Sequence, residues 1–104
     1  MISRIWTARA TAIHAPRYQE HFARHVLPQL STLEGYLGAT LLMAAEGELV
    51  NICVMTRWRS LDAIKAFAGA DPARAVVADE AAALLTDWDT RVRHYDVVLD
   101  ATPD

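Results

Sequence analysis

The run Leu49–Trp58 restricts the fold more than any other stretch, because it is apolar on both of its faces. In an extended chain Val50, Ile52, Val54 and Trp58 point one way, while Leu49, Cys53 and Met55 point the other. Such a strand belongs inside a sheet, with helices covering one face and a second cover on the other. The sequence of 104 residues is long enough for one domain with a modest core. Residues 1–104 are read as that domain, with Ala101–Asp104 as a frayed tail.

Composition removes several function classes. At 53% hydrophobic and 22% charged residues the chain is too apolar for a disordered segment. Its 10 basic against 13 acidic residues, net charge −3, give no case for nucleic acid as a partner. The apolar stretches Leu41–Ala45 and Ile52–Met55 fall far short of the ~20 residues that span a bilayer. Met1–Ala10 lacks the basic start and apolar core of a signal peptide. Cys53 has no partner for an intramolecular disulfide, so a reducing cytoplasm is the expected address.

Along the chain, Ile2–Thr11 is rich in β-branched and aromatic residues and reads as a strand. Tyr18, Phe22, Val26, Leu30 and Leu33 then recur at helical spacing. Pro28 should bend that helix or end its regular part, and Gly35 stops it. Tyr36–Ala45 and Leu49–Trp58 flank Glu46-Gly47-Glu48, a hairpin whose turn holds two or three residues. Ser60 is a good N-cap for Leu61–Phe67, Asp71-Pro72 suits a short second helix, and Asp79–Leu85 is helical. Asp89–Leu99 reads as the last strand. The order β-α-β-β-α-β is that of a ferredoxin-like α+β fold, with a four-stranded antiparallel sheet and helices on one face. A second copy of the chain is the simplest cover for the other face, which makes a homodimer the expected assembly.

The stretch Thr56–Phe67 contains Trp58, Ser60, Ala63 and Phe67 in the pattern Trp-x-Ser-x-x-Ala-x-x-x-Phe. It resembles the signature of the antibiotic biosynthesis monooxygenase family, within the dimeric α+β barrel superfamily. His25-Val26-Leu27-Pro28, Glu34–Gly38 and Arg93–Val98 extend the resemblance over essentially the whole chain. It implies a dimeric barrel that binds an aromatic small molecule. It also implies oxygenation without metal or flavin, in which the anion of an acidic phenol or enol reduces O2. The alternative is a ligand-binding or stress-associated dimer of the same fold without activity.

The family's haem-degrading branch needs an axial His in the second helical region, at the place of Val77 here. Leu61–Leu85 contains no His, Cys or Tyr, so haem is disfavoured and no cofactor is expected. The anthrone-oxygenase branch places an Asn where this chain has Val54, which removes the oxyanion partner the resemblance would supply. No metal site is expected from the histidines. Trp58, at a strand end expected on the side without helices, is read as a pocket wall, together with Trp6, Phe22 and Val54. Trp58 and His25 are the candidate catalytic residues, His25 as a general base. His14 and His21 read as surface residues, and Cys53 as an inert core thiol.

Overall fold

A computed structural model describes residues 1–103. The strand β1 (Ile2–Thr11) runs through the middle of an antiparallel sheet in the order β2-β3-β1-β4, with β5 on the same edge of β1 as β4. Here β2 is Tyr36–Glu46, β3 is Leu49–Trp58, β4 is Asp87–Trp88 and β5 is Arg93–Asp96. The α+β class, the antiparallel sheet and the element order agree with the ferredoxin-like reading. The last strand does not run unbroken. Asp87 and Trp88 pair with Arg9 and Ala8, whereas Arg93–Asp96 pair with Ile5–Ile2. Between them the chain leaves β1 and pairs with the segment that follows the second helix, through Ala75 N–H to Thr90 O (2.9 Å) and Val92 N–H to Ala73 O (2.8 Å).

The hairpin is of the two-residue kind. Glu46 pairs with Leu49 around Gly47 and Glu48, and Gly47 takes the left-handed conformation such a turn needs. This register places Leu42 opposite Cys53 and Leu41 opposite Val54.

The first helical segment begins as α1 (His14–His21), widens into a π-helical turn at Phe22–Val26 and returns to α2 (Leu27–Leu30). Pro28 accounts for the widening. It brings no N–H, and its ring crowds the carbonyl of Arg24, so a regular i→i+4 ladder is disrupted there. The Leu27 N–H instead reaches back to Phe22 O, five residues away. In the second region α3 (Leu61–Ala68) starts as read from sequence, with Ser60 Oγ accepting from Ala63 N–H at 3.2 Å. Asp71-Pro72, expected to open a helix, forms a turn in which Asp71 Oδ1 accepts from Ala73 N–H (3.2 Å) and both carboxylate oxygens take Arg91. Pairing of 73–75 with the last strand competes with a helix and wins. The short α4 (Asp79–Ala82) follows. Ala101–Pro103 are exposed and without regular structure, while Asp104, also assigned to the tail, lies outside the described residues. No helix is long and apolar enough to cross a membrane.

Strand alternation divides the sheet, with Ser3 the odd-numbered residue of β1 that is also buried. Even-numbered residues of β1 and β3, including Trp6, Ala8, Ile52, Val54 and Trp58, are buried beneath the helices. Two clusters form there. One surrounds Trp6, Tyr18, Phe22 and Val54; the other surrounds Leu30, Trp58 and Ile64. The opposite face presents Ile5, Cys53 and Met55 partly buried, beside Leu42 and Tyr95, which are 47% and 49% exposed.

Gly35 ties the helical layer to the sheet. Its φ is +86°, and a Cβ there would stand 2.5 Å from the Cβ of Ala63. Gly35→Ala is therefore expected to cost at least ~1–2 kcal/mol from the backbone alone, with the clash added. Ser60→Ala, which removes only the cap, should cost ~1 kcal/mol. Chemical denaturation of the two variants checks the order.

Candidate functional site

Between the even face of the sheet and the first helix lies a cavity of about 80 Å³. A cavity needs roughly 10–15 Å³ to hold one water, so the space takes several waters or the edge of one or two fused rings. Strands β1 and β3 supply Arg4, Trp6, Val54 and Thr56 as its floor. The first helix supplies Tyr18, His21, Phe22 and Val26 as one wall. Phe67 of α3 and the stretch Val76–Ala78 close the rest. The walls are mostly hydrocarbon and aromatic rings, with a few polar atoms among them.

Each aromatic wall is fixed by its neighbours. Trp6 donates its indole N–H to Asp89 O at 2.7 Å, an acceptor made available where the last strand departs from β1. Its ring stands 6.2 Å from that of Tyr18, which in turn stands 6.4 Å from Phe22. Burial raises the Tyr18 phenol well above its ordinary pKa and keeps it protonated. Val76–Ala78 is the wall with least backbone support, lying between the Arg74–Arg91 bridge and the start of α4.

The polar side chains of the lining are Arg4, Thr56 and His21, with the Tyr18 phenol and the exposed Gln29. Arg4 is only 6% exposed, and burial pushes its pKa down to about 10. One guanidinium nitrogen donates to Arg74 O (2.7 Å), and the group lies 5.4 Å from the centre of the Phe67 ring. Its Nε is buried without a partner, as is Nε2 of His21. Thr56 Oγ1 accepts from the indole of Trp58 at 2.8 Å, which leaves its own O–H free to donate.

Of the residues singled out from sequence, Trp6, Phe22 and Val54 line this cavity. Trp58 does not. It is fully buried in the neighbouring cluster, stacked on Phe67 at 5.8 Å and edge-on to Tyr36 at 5.6 Å. The side expected to be open at its strand end is the one the helices cover. His25 also lies outside the walls, exposed at the surface 5.4 Å from the His21 ring. The π-turn explains the exchange: its wider pitch turns the following side chains back, bringing Val26 to the cavity and His25 out of it. His21, read as a surface residue, is half-buried and belongs to the site.

The model of the antibiotic biosynthesis monooxygenase family matches residues 1–79. The chain belongs to this family. Several solved structures share the fold over nearly their whole length. A candidate antibiotic biosynthesis monooxygenase from Bacillus cereus is 17% identical, with a TM-score of 0.72 over 100% of this chain and 97% of that one. A monooxygenase of Streptomyces coelicolor, in complex with nanaomycin D, is 16% identical, with a TM-score of 0.65 over 99% and 92%. A variant of MhuD carrying two manganese protoporphyrin IX per active site is 26% identical, with a TM-score of 0.70 over 99% and 100%. MhuD is a haem-degrader of Mycobacterium tuberculosis. No curated protein matches the chain significantly.

The two tryptophans should separate in their response to a ligand. Trp6→Phe is expected to weaken binding of a naphthol by about 1 kcal/mol, the scale of one aromatic contact. Trp58→Phe should lower stability, through lost packing and the lost bond to Thr56, with a smaller effect on that affinity. Fluorescence titration alongside thermal melting of both variants checks the assignment.

Proposed function

We propose that this chain binds a flat, acidic aromatic molecule of one or two fused rings in the cavity and oxygenates it without a metal or flavin. The observation that carries the proposal is an enclosed aromatic cavity whose buried polar atoms, Arg4 Nε and His21 Nε2, still lack partners. A phenol or enol placed against Trp6 and Phe22 meets an imidazole able to take its proton and a guanidinium able to hold the anion. The electron-rich anion then reduces O2. One oxygen atom bonds to ring carbon, and the other leaves as water, so that a hydroxyarene or its keto form becomes a quinone. The protein's share is to orient the ring, exclude water and hold charge as it develops. In this reading His21 takes the part that the sequence suggested for His25.

A haem reading is favoured by the likeness to MhuD, and His21 offers an imidazole inside the cavity. The lining weighs against it, since Val77 presents hydrocarbon at the place of the axial histidine and a porphyrin needs far more room than one or two fused rings.

The same reading includes a second copy on the open face of the sheet. Ile5, Leu42, Cys53 and Met55 lie together there by register, and a sheet face of this kind is covered in stable proteins. Light scattering at micromolar concentration should find a dimer; a stable monomer contradicts this part of the proposal.

Oxygen uptake with a naphthol or an anthrone, free of added flavin and metal, tests the reaction. Turnover above the uncatalysed rate is expected, falling by roughly 10²-fold or more in His21→Ala, the scale of a lost general base. Saturable binding without oxygen consumption leaves the chain a binder. A stoichiometric haem complex with a sharp Soret band, abolished by His21→Ala, reverses the order of the two readings.

A further inference from the structure

The floor of the cavity is ordered by polarity, row by row across the sheet. On the helix-covered face one row runs Ala39, Thr56, Arg4, His94, each residue directly opposite the next in the antiparallel register. The adjacent row runs Leu41, Val54, Trp6 and is wholly apolar. Directly opposed side chains have Cβ atoms ~5 Å apart, and successive rows on one face are ~7 Å apart. A planar molecule lying across both rows therefore meets hydrocarbon under its ring and hydrogen-bond donors at one end.

That end has donors but no acceptor charge to match them. Arg4 is buried, yet among the described residues it forms no ion pair with a carboxylate. Its contacts are the carbonyl of Arg74 and the ring of Phe67, which leave Nε unsatisfied. His94, next in the row, brings a neutral imidazole rather than a counter-ion, since burial and the Arg4 charge both lower its pKa, and its Nε2 is likewise buried without a partner. The Thr56 hydroxyl, which accepts from the Trp58 indole, still has its proton to offer. A buried cation without a counter-ion is costly, and an anion that enters beside it recovers that cost as a charge-assisted bond.

We propose that Arg4 and Thr56 form a receptor for an anionic oxygen, carboxylate or phenolate, carried by a ligand whose ring lies over Trp6 and Val54. This rests on the cavity being the ligand site, and it makes Arg4 the residue that selects acids over their neutral analogues. Since Arg4 also holds the carbonyl of Arg74, it links the bound charge to the strand-bridged segment that leads into the Val76–Ala78 wall.

The test compares 2-naphthoate with 2-naphthamide, and 2-naphthol with 2-methoxynaphthalene, by calorimetry on the intact protein at neutral pH. For a carboxylate receptor, naphthoate binds at least roughly tenfold more tightly than naphthamide. For a phenolate receptor, naphthol exceeds its methyl ether by a similar factor and shows the naphtholate absorbance band when bound. In either case Arg4→Met removes the preference, and Arg4→Lys, which keeps the charge without the forked donors, retains part of it. If Arg4→Met does not fold, Thr56→Val serves as the second variant, with a smaller loss of the same preference. Equal affinity of each acid and its neutral partner, or a preference that survives Arg4→Met, overturns the receptor while leaving the cavity as a binding site. Failure of all four probes to bind overturns the receptor and the cavity reading together.

Discussion

One antiparallel register, Arg4 opposite Thr56 and Trp6 opposite Val54, decides what this fold contains. Because side chains alternate strictly along a strand, this pairing sends both pairs beneath the helices, where one is polar and one is not. A slip of one residue would exchange every member of the floor for a residue of the open face. The two-residue hairpin and the deep burial of Ile52 and Trp58 hold the register in place. Site and core are thus products of the same alternation.

The arrangement also explains why the cavity survives in a small core. Close packing removes most empty space, and a domain of this size has little stability to lose. Here the floor is braced from both ends. The Trp6 indole is pinned to Asp89 O, and the Trp58 cluster forms a separate packed block that carries Leu30, Ile64 and Ala68. The remaining wall, Val76–Ala78, is anchored indirectly. Arg91 grips Asp71, strand pairing holds 73–75, and Arg4 reaches the carbonyl of Arg74. The cavity is thus held open by its own lining, since Trp6 and Arg4 are each tied to backbone carbonyls beyond it.

Much of this was legible in the sequence. β-Branched and apolar runs with their turn signals place β1, β2 and β3 within a residue or two, Ser60 announces α3, and Thr56–Phe67 points to the family. What alternation cannot tell is which parity faces the helices when both faces are apolar. Trp58 therefore reads from sequence as an open-side residue, although its shared parity with Ile52 and Val54 is legible there. The distinguishing signal was Arg4: a charge alternating with Trp6 and Ala8 on the most buried strand marks a special position more clearly than another Trp. The histidine pair failed for a different reason. An ideal helix through Tyr18 and Phe22 brings His25 near the inner face, and only the π-turn ahead of Pro28 turns it outward. Sequence showed the proline but not how the backbone would absorb it. The split of the last strand was equally hidden, since it depends on pairing with a distant segment, 73–75.

We place the ligand on the helix-covered side, with its charge at Arg4 and its ring at Trp6. A crystal structure of the protein with 2-naphthoate tests this most directly. The account predicts the carboxylate within hydrogen-bonding distance of Arg4 and Thr56, the ring against Trp6 and Val54, and an outward shift of Val76–Ala78. Density for the ligand on the open sheet face beside Leu42 and Cys53, with the inner cavity unchanged, contradicts it.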